Sequence, residues 1–276
     1  MKTVKTFAPA KINLTLHVTG QRADGYHLLD SLVVFADVGD RITLTPAQET
    51  GLNVIGPMAA GVPTDSRNLV LRAVALFDMP VAVTLSKHLP SAAGIGGGSS
   101  DAAATILAMC DLADQRTLPS GVLDLGADVR VCLMRQGARM SGIGDVVEPV
   151  SRMPRLWAVL ANPGVAVATP DVFAALTNKK NKPMPRRLPQ GMKTAAFIRW
   201  LGTMRNDLQG PAVAAQPVIG EVLAALEALP GARLARMSGS GATCFALFAS
   251  EPEAQAGAAA LQADRPQWWV RSACLS

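Results

Sequence analysis

Residues 89–104 read Leu-Pro-Ser-Ala-Ala-Gly-Ile-Gly-Gly-Gly-Ser-Ser-Asp-Ala-Ala-Ala. Gly94, Gly96, Gly97 and Gly98 run into Ser99, Ser100 and an alanine-rich helical pattern. Glycine lets a backbone reach positive φ and lets main-chain N–H groups approach a ligand closely. A helix start adds N–H groups without intrahelical acceptors and the positive end of a dipole. Together these make a phosphate-binding loop. A flexible linker is the competing reading, but linkers rarely lead into a capped apolar helix. A valine at Gly97 is expected to crowd out phosphates and strain a positive φ. No Lys follows Gly98, so this is not a P-loop. Ser99 stands where a dinucleotide fingerprint needs Gly or Ala.

Pro9-Ala10-Lys11-Ile12-Asn13-Leu14 precedes a second candidate, Arg22-Ala23-Asp24-Gly25-Tyr26-His27. Alternation over residues 12–18 predicts a half-buried strand, with Ile12, Leu14, Leu16 and Val18 inward. Lys11, Asn13, Thr15 and His17 then share the polar face. A Lys beside an acceptor hydroxyl can stabilise a developing alkoxide; on spacing alone, an ordinary exposed Lys is the plainer reading. Asp24-Gly25 signals a turn, and Tyr26 is the sole tyrosine. Asp128, in Gly126-Ala127-Asp128-Val129, reads by itself as a helix cap. Lys179, Lys180, Lys182, Arg186 and Arg187 form a basic stretch. It is either a solvated loop or a loop that draws in a phosphorylated substrate.

These residues need elements to hold them. Strands are expected at 41–45, 81–85, 156–160, 234–237, 243–248 and 268–273, with many β-branched residues. Helices are expected at 68–77, at 101–112 capped by Ser99 or Ser100, and briefly at 122–125, closed by Gly126. Further helices fit 170–176, 195–208 and 218–229, the last stopped by Pro230-Gly231. Ser250-Glu251-Pro252-Glu253 is a capping box opening another. Apart from its basic insertion, the second half has the order β-α-β-β-α-β of a ferredoxin-like domain. A boundary is placed near Ser151–Pro154.

The chain has 276 residues, 49% hydrophobic and 17% charged, with net charge +5. That composition describes a folded globular protein rather than a disordered one. No apolar run reaches the roughly 18 residues of a membrane span, and no signal peptide is evident. Cys110, Cys132, Cys244 and Cys274 form no CxxC pair and read as core thiols in a reducing cytosol. His17, His27 and His88 lack zinc-site spacing. The positive charge suggests an anionic partner only weakly.

The P-x-x-x-G-[IL]-G-G-G-S-S pattern resembles the ATP loop of the GHMP kinases, the superfamily of galactokinase, homoserine kinase and mevalonate kinase. The P-A-K-I-N-L and R-A-D-G-Y-H segments narrow the resemblance. They are similar to the branch that phosphorylates a cytidine-diphosphate-linked methylerythritol in the non-mevalonate route to isoprenoids. Gly126–Val129, Asn162-Pro163-Gly164, Thr169-Pro170 and Met237–Ala242 fit the same branch, in family order.

The resemblance implies an α+β fold of two domains with a catalytic cleft between them. Residues 1–152 would be an ATP-binding and catalytic domain of a kind shared with ribosomal proteins; residues 153–276 would be a ferredoxin-like substrate domain. It implies catalytic roles for Lys11, polarising the hydroxyl, and Asp128, its general base. Pro90, Ser91, Ala92, Ala93, Gly94, Ile95, Gly96, Gly97, Gly98, Ser99 and Ser100 would bind ATP, and Gly239–Gly241 would buttress that loop. Tyr26 and Phe173 would stack a cytosine whose edge His27 reads, although Phe173 alone reads as core. Asn13 would bind the sugar-like erythritol part, and Thr169 would also bind the substrate. Arg130 departs from the family's usual Pro, which could loosen the turn aiming Asp128. ATP and Mg²⁺ are expected, with Ser99 and Ser100 as candidate ligands. The expected partner is a small molecule carrying a cytidine diphosphate, with no nucleic acid and no membrane, in the cytoplasm. The alternatives are another GHMP kinase, of homoserine or mevalonate type, and a basic RNA-binding protein.

Overall fold

The computed structural model describes residues 2–276. The chain begins with β1 (Val4–Asn13), β2 (His17–Gln21), β3 (His27–Pro46) and β4 (Gly51–Ile55). Then come α1 (Leu69–Val74), β5 (Val81–Ser86), α2 (Gly97–Leu112), a 3₁₀ turn at Val122–Leu125 and α3 (Ala127–Met134). Next are β6 (Ala138–Gly142), β7 (Val146–Pro149), β8 (Leu156–Asn162), α4 (Thr169–Ala174), α5 (Thr194–Gly202), α6 (Gln209–Ala215) and α7 (Val218–Glu227). The chain closes with β9 (Leu234–Met237), β10 (Cys244–Phe248), α8 (Glu251–Asp264) and β11 (Trp269–Leu275).

These elements form two compact units. The first comprises the described residues to Lys11, Val38–Ser91 and Gly96–Arg135; the second comprises Ile12–Asp37, Ala92–Ile95 and Gln136–Ser276. The boundary expected near Ser151–Pro154 is a cut along the sequence and stands apart from this division by packing.

In the first unit, β5 pairs parallel with β4 and antiparallel with the 41–46 end of β3. The strand expected over 81–85 forms, and its Val81, Val83 and Leu85 alternate inward to meet Ile42, Leu44, Val70, Val74 and Met109. Asn68 caps α1 through its side chain, which accepts from Val70 N–H. α2 starts at Gly97, four residues before the expected start. Gly96, at φ +62°, turns the chain into the helix, and Ser100 N–H closes the first turn on Gly96 O at 2.8 Å. Neither serine is therefore the cap; the Ser100 hydroxyl donates to Pro9 O at 2.7 Å.

The second unit contains the expected ferredoxin-like order. Its four strands lie β11-β8-β10-β9, all pairs antiparallel, with α7 and α8 as the helices. Ser250 caps α8 as expected, and the Glu253 carboxylate reaches back to accept from Ala249 N–H at 3.1 Å. The helix expected over 195–208 stops at Gly202. The buried Arg236 guanidinium takes the carbonyls of Leu201 and Met204, which would otherwise continue the helical ladder.

The strand expected over 12–18 is interrupted. Leu14 and Thr15 N–H groups both donate to Leu32 O, at 2.8 and 3.4 Å. Two residues thus oppose one, and the period of two is lost. The face expected to be polar and open is closed: Lys11, Asn13, Thr15 and His17 are all buried. Of the cysteines, Cys132 and Cys244 are core thiols as expected, while Cys110 and Cys274 are only half-buried; all four are free.

Candidate functional site

In the first unit, Lys11 sits near the end of β1 with its side chain 6% exposed, and Asp128 occupies the first turn of α3. Lys11 Nζ donates to Asp128 Oδ2 at 2.6 Å. Asp128 is not the cap of its helix. Gly126 takes that position, and the carboxylate, 35% exposed, is left to face the ammonium. Arg130 lies inside α3, which forms with arginine at that position.

The glycine loop is held from two directions. Within the first unit, a Cβ built on Gly96 would lie 3.3 Å from Lys11 Cβ and Cε, so the loop backbone rests against the lysine stem. The N–H groups at the start of α2 follow directly. Among the loop's glycines the positive φ values fall on Gly94 and Gly96, not on Gly97 as expected, because Gly97 is already helical. Within the second unit, Gly94 O accepts from Ser238 Oγ at 3.0 Å and Ala93 O accepts from Thr243 N–H at 3.1 Å. A Cβ on Gly239 would come 2.7 Å from Gly94 O. The 238–243 turn thus packs against this half of the loop, as a buttress would. Asn13 N–H donates to the same Ser238 hydroxyl at 3.0 Å, and Asn13 Nδ2 donates to Ser31 Oγ at 2.8 Å. Asn13 Oδ1 is buried without a hydrogen-bond partner.

Beneath the first turn of α2 lies a group that the sequence reading missed. Lys87 Nζ pairs with Asp40 Oδ2 and, at 2.7 Å, with Asp101 Oδ2; all three side chains are at most 4% exposed. Asp40 Oδ1 also accepts from Leu89 N–H at 2.9 Å, tying the entrance of the loop. Burial is the largest influence on Asp101 and, with Asp40 beside it and Lys87 opposing, lifts its carboxyl to about 7. Burial works against the Lys87 charge, but the two carboxylates outweigh it and raise its pKa. Asp101 Oδ1 has no hydrogen-bond partner. Lys87 and Asp40 lie outside every motif in the sequence, so no local pattern announces the cluster.

The second unit carries a cavity of about 700 Å³ whose walls include Tyr26, His27, Thr169 and Phe173, together with Gln21 and Lys179. Four residues expected to touch the acceptor thus share one concavity. The His27 and Phe173 rings stack, with centroids 4.9 Å apart and planes inclined by 26°. Phe173 meets both readings, because it packs against the core cluster and also lines the cavity. Tyr26 is 61% exposed, an open aromatic face at the rim. Burial first, and the Lys179 charge second, lower the pKa of His27, and its Nε2 is buried without a hydrogen-bond partner. Thr169 Oγ1 lies 2.7 Å from Ser240 Oγ. Gln21 and Lys179 escaped the sequence reading as pocket residues.

The basic stretch is strapped down rather than loose. Asp30 Oδ2 accepts from Met184 N–H at 2.7 Å, and Arg139 bridges the Asp30 carboxylate to the carbonyls of Pro185 and Arg186. His17 Nδ1 contacts Lys182 O at 3.1 Å. Among the described residues, no three His, Cys, Asp or Glu side chains are grouped to hold a metal ion. No helix among them is long and apolar enough to cross a membrane.

The family model for the GHMP kinase N-terminal domain matches residues 68–148, and that for the GHMP kinase C-terminal region matches 192–267. The chain is 56% identical to a 4-diphosphocytidyl-2-C-methyl-D-erythritol kinase of Cereibacter sphaeroides, covering 99% of each chain. It is 58% identical to the enzyme of that name from Dinoroseobacter shibae, covering 98% of this chain and 94% of the relative. A solved 4-(cytidine 5′-diphospho)-2C-methyl-D-erythritol kinase superposes with a TM-score of 0.80 at 34% identity, over 99% of both chains. Homoserine kinase from Cytophaga hutchinsonii gives 0.70 at 18% identity, covering all of this chain and 95% of that one, a likeness of fold alone.

Proposed function

This chain belongs to the 4-diphosphocytidyl-2-C-methyl-D-erythritol kinase family, and we propose that it transfers the γ-phosphoryl group of ATP to the acceptor's 2-hydroxyl. It is a kinase of isoprenoid precursor synthesis acting on a small molecule. The observation that carries the residue roles is the 2.6 Å pair of Lys11 and Asp128, with the glycine loop resting on the same lysine. The Asp128 carboxylate takes the hydroxyl proton as the oxygen attacks the γ-phosphorus, and ADP leaves. The Lys11 ammonium offsets the negative charge on the acceptor oxygen and the phosphoryl group. Main-chain N–H groups within residues 91–99 hold the phosphates, and the dipole of α2 favours them. Catalysis here is chiefly positioning and electrostatics.

Mg²⁺ would fit here as a companion of ATP. The half-buried Ser99 hydroxyl is the available donor; that of Ser100 is committed to Pro9. When bound, the ion would supply charge neutralisation of the phosphates.

The acceptor's cytosine stacks on Tyr26 and Phe173, and His27 reads its edge through Nε2. The free Asn13 Oδ1 accepts from an acceptor hydroxyl, and Thr169 contributes at the cavity wall. Residues 1–152 supply the ATP loop, Lys11 and Asp128 together with Asn13, Tyr26 and His27 of the acceptor site, and 153–276 supply Thr169 and Phe173. The protein works in the cytoplasm, without nucleic acid as a partner. A coupled assay of ATP consumption tests this reading against the cytidine substrate, homoserine and mevalonate. Turnover with the first alone is expected; comparable turnover with either of the others would overturn it.

A further inference from the structure

The cavity lined by Tyr26, His27 and Phe173 has one lysine in its wall, Lys179. We infer that Lys179 is a specificity-determining cation, holding the acceptor's phosphates so that the site prefers a nucleoside diphosphate to the bare nucleoside. This rests on the reading of the cavity as the cytidine pocket.

Lys179 differs from the rest of the basic stretch. It is half-buried, whereas Lys180, Lys182, Arg186 and Arg187 are exposed. Its backbone is fixed by a tied turn. Lys180 N–H donates to Asn178 Oδ1 at 3.0 Å, Asn178 Nδ2 to Asn181 Oδ1 at 2.8 Å, and Asn181 N–H to Val18 O at 3.0 Å. The turn is therefore anchored to β2, beside the cavity wall. The side chain is aimed as well. Gln21 Nε2 donates to Gly25 O at 3.0 Å, which orients the Gln21 amide with its oxygen toward Lys179, and Lys179 Nζ donates to that oxygen at 3.2 Å. An ammonium has three donors, so further donors remain for an anion.

The other charges near the cavity do not oppose an anion there. The Asp24 carboxylate is paired with Arg22 at 2.6 Å and also accepts from Tyr26 N–H. The Lys179 charge also lowers the His27 pKa, second to burial. One side of the pocket is thus aromatic and neutral, suited to a base, and one point on its wall is cationic. A base carrying phosphates satisfies both features, and a nucleoside satisfies only the first. Charge-assisted hydrogen bonds are the strong ones at such a partly desolvated place.

The experiment is calorimetric titration of CDP and of cytidine into the wild type, Lys179→Ala, Lys179→Arg and Lys180→Ala. Lys179→Ala should weaken CDP by about tenfold or more while leaving cytidine within about threefold. Lys179→Arg should restore part of the difference, and Lys180→Ala should match the wild type. Comparing two ligands on one variant removes any general effect on folding. If the wild type prefers CDP and Lys179→Ala keeps the whole preference, the role of Lys179 is overturned and the pocket reading stands. A wild type that binds neither ligand would overturn the pocket reading, and this inference with it.

Discussion

Lys11 Nζ donates to Asp128 Oδ2 at 2.6 Å across 117 residues of sequence, joining the end of β1 to the first turn of α3. A base is thereby held beside a cation on two rigid elements. Asp128→Asn keeps the shape and a hydrogen bond but removes the proton acceptor. We expect kcat to fall by about 10²–10⁴ while KM stays within several-fold. Steady-state kinetics decide this, and a variant with near-normal kcat would return Asp128 to a purely structural role.

The glycine loop should respond according to where its glycines are needed. Gly96 combines φ +62° with a Cβ path only 3.3 Å from the Lys11 stem. Gly97 is helical, and its Cβ would meet nothing nearer than Lys87 Nζ at 3.6 Å. Gly96→Ala should therefore damage ATP affinity more than Gly97→Ala, whereas Gly97→Val crowds the phosphates sterically without backbone strain. Fluorescent ATP-analogue binding on variants of normal circular dichroism ranks them; equal affinities at the two positions would contradict the assignment.

The Asp40–Lys87–Asp101 cluster should matter first to folding. Lys87→Met leaves two carboxylates buried without their cation, at a cost of about 3–5 kcal/mol. Urea unfolding at pH 7 measures it, and a change of under 1 kcal/mol would show the cluster to be well solvated.

The same cluster sets a pH dependence. Asp101 is raised in the fold from 3.8 to about 7. The folded protein then keeps a proton that the unfolded chain releases, so this contribution is full below about pH 4 and is lost as pH rises to about 7. Asp101→Asn should flatten the fall in stability over that window relative to wild type. Parallel stability curves for the two proteins from pH 4.5 to 7.5 would argue against the raised carboxyl.

The pocket should tell cytosine from uracil. The bases match in size and differ in donors and acceptors, and a mispaired buried group costs about 1–3 kcal/mol. CDP should therefore bind about tenfold or more tighter than UDP, and Tyr26→Ala should weaken both. Since His27 is lowered from 6.5 by burial and by Lys179, cytidine binding should be flat above pH 6.5 and weaken in acid as the ring gains a proton. Equal affinity for CDP and UDP would point to another acceptor.

Local pattern alone determined a good deal of this protein. Short runs of apolar and β-branched residues located β5, β8 and β10, the capping box located the start of α8, and the glycine run located the loop before α2. Such features depend on neighbours in sequence, where period and capping act directly. The tertiary structure decided the rest. The two N–H groups that share Leu32 O break the strand expected over 12–18, and Arg236 ends α5 at Gly202. Long-range partners also choose which polar groups are paired. The Asp128 carboxylate faces Lys11, not its own helix end, and Lys87, just past the end of β5, bridges Asp40 of β3 and Asp101 of α2. Lys179 reads as one charge in a basic run until the turn from Asn178 to Asn181 and the Gln21 amide aim it at the pocket. Buried charges take the partners that the packed chain brings within about 3 Å, because leaving them unpaired is costly. That constraint acts through space and leaves no periodic trace in the sequence.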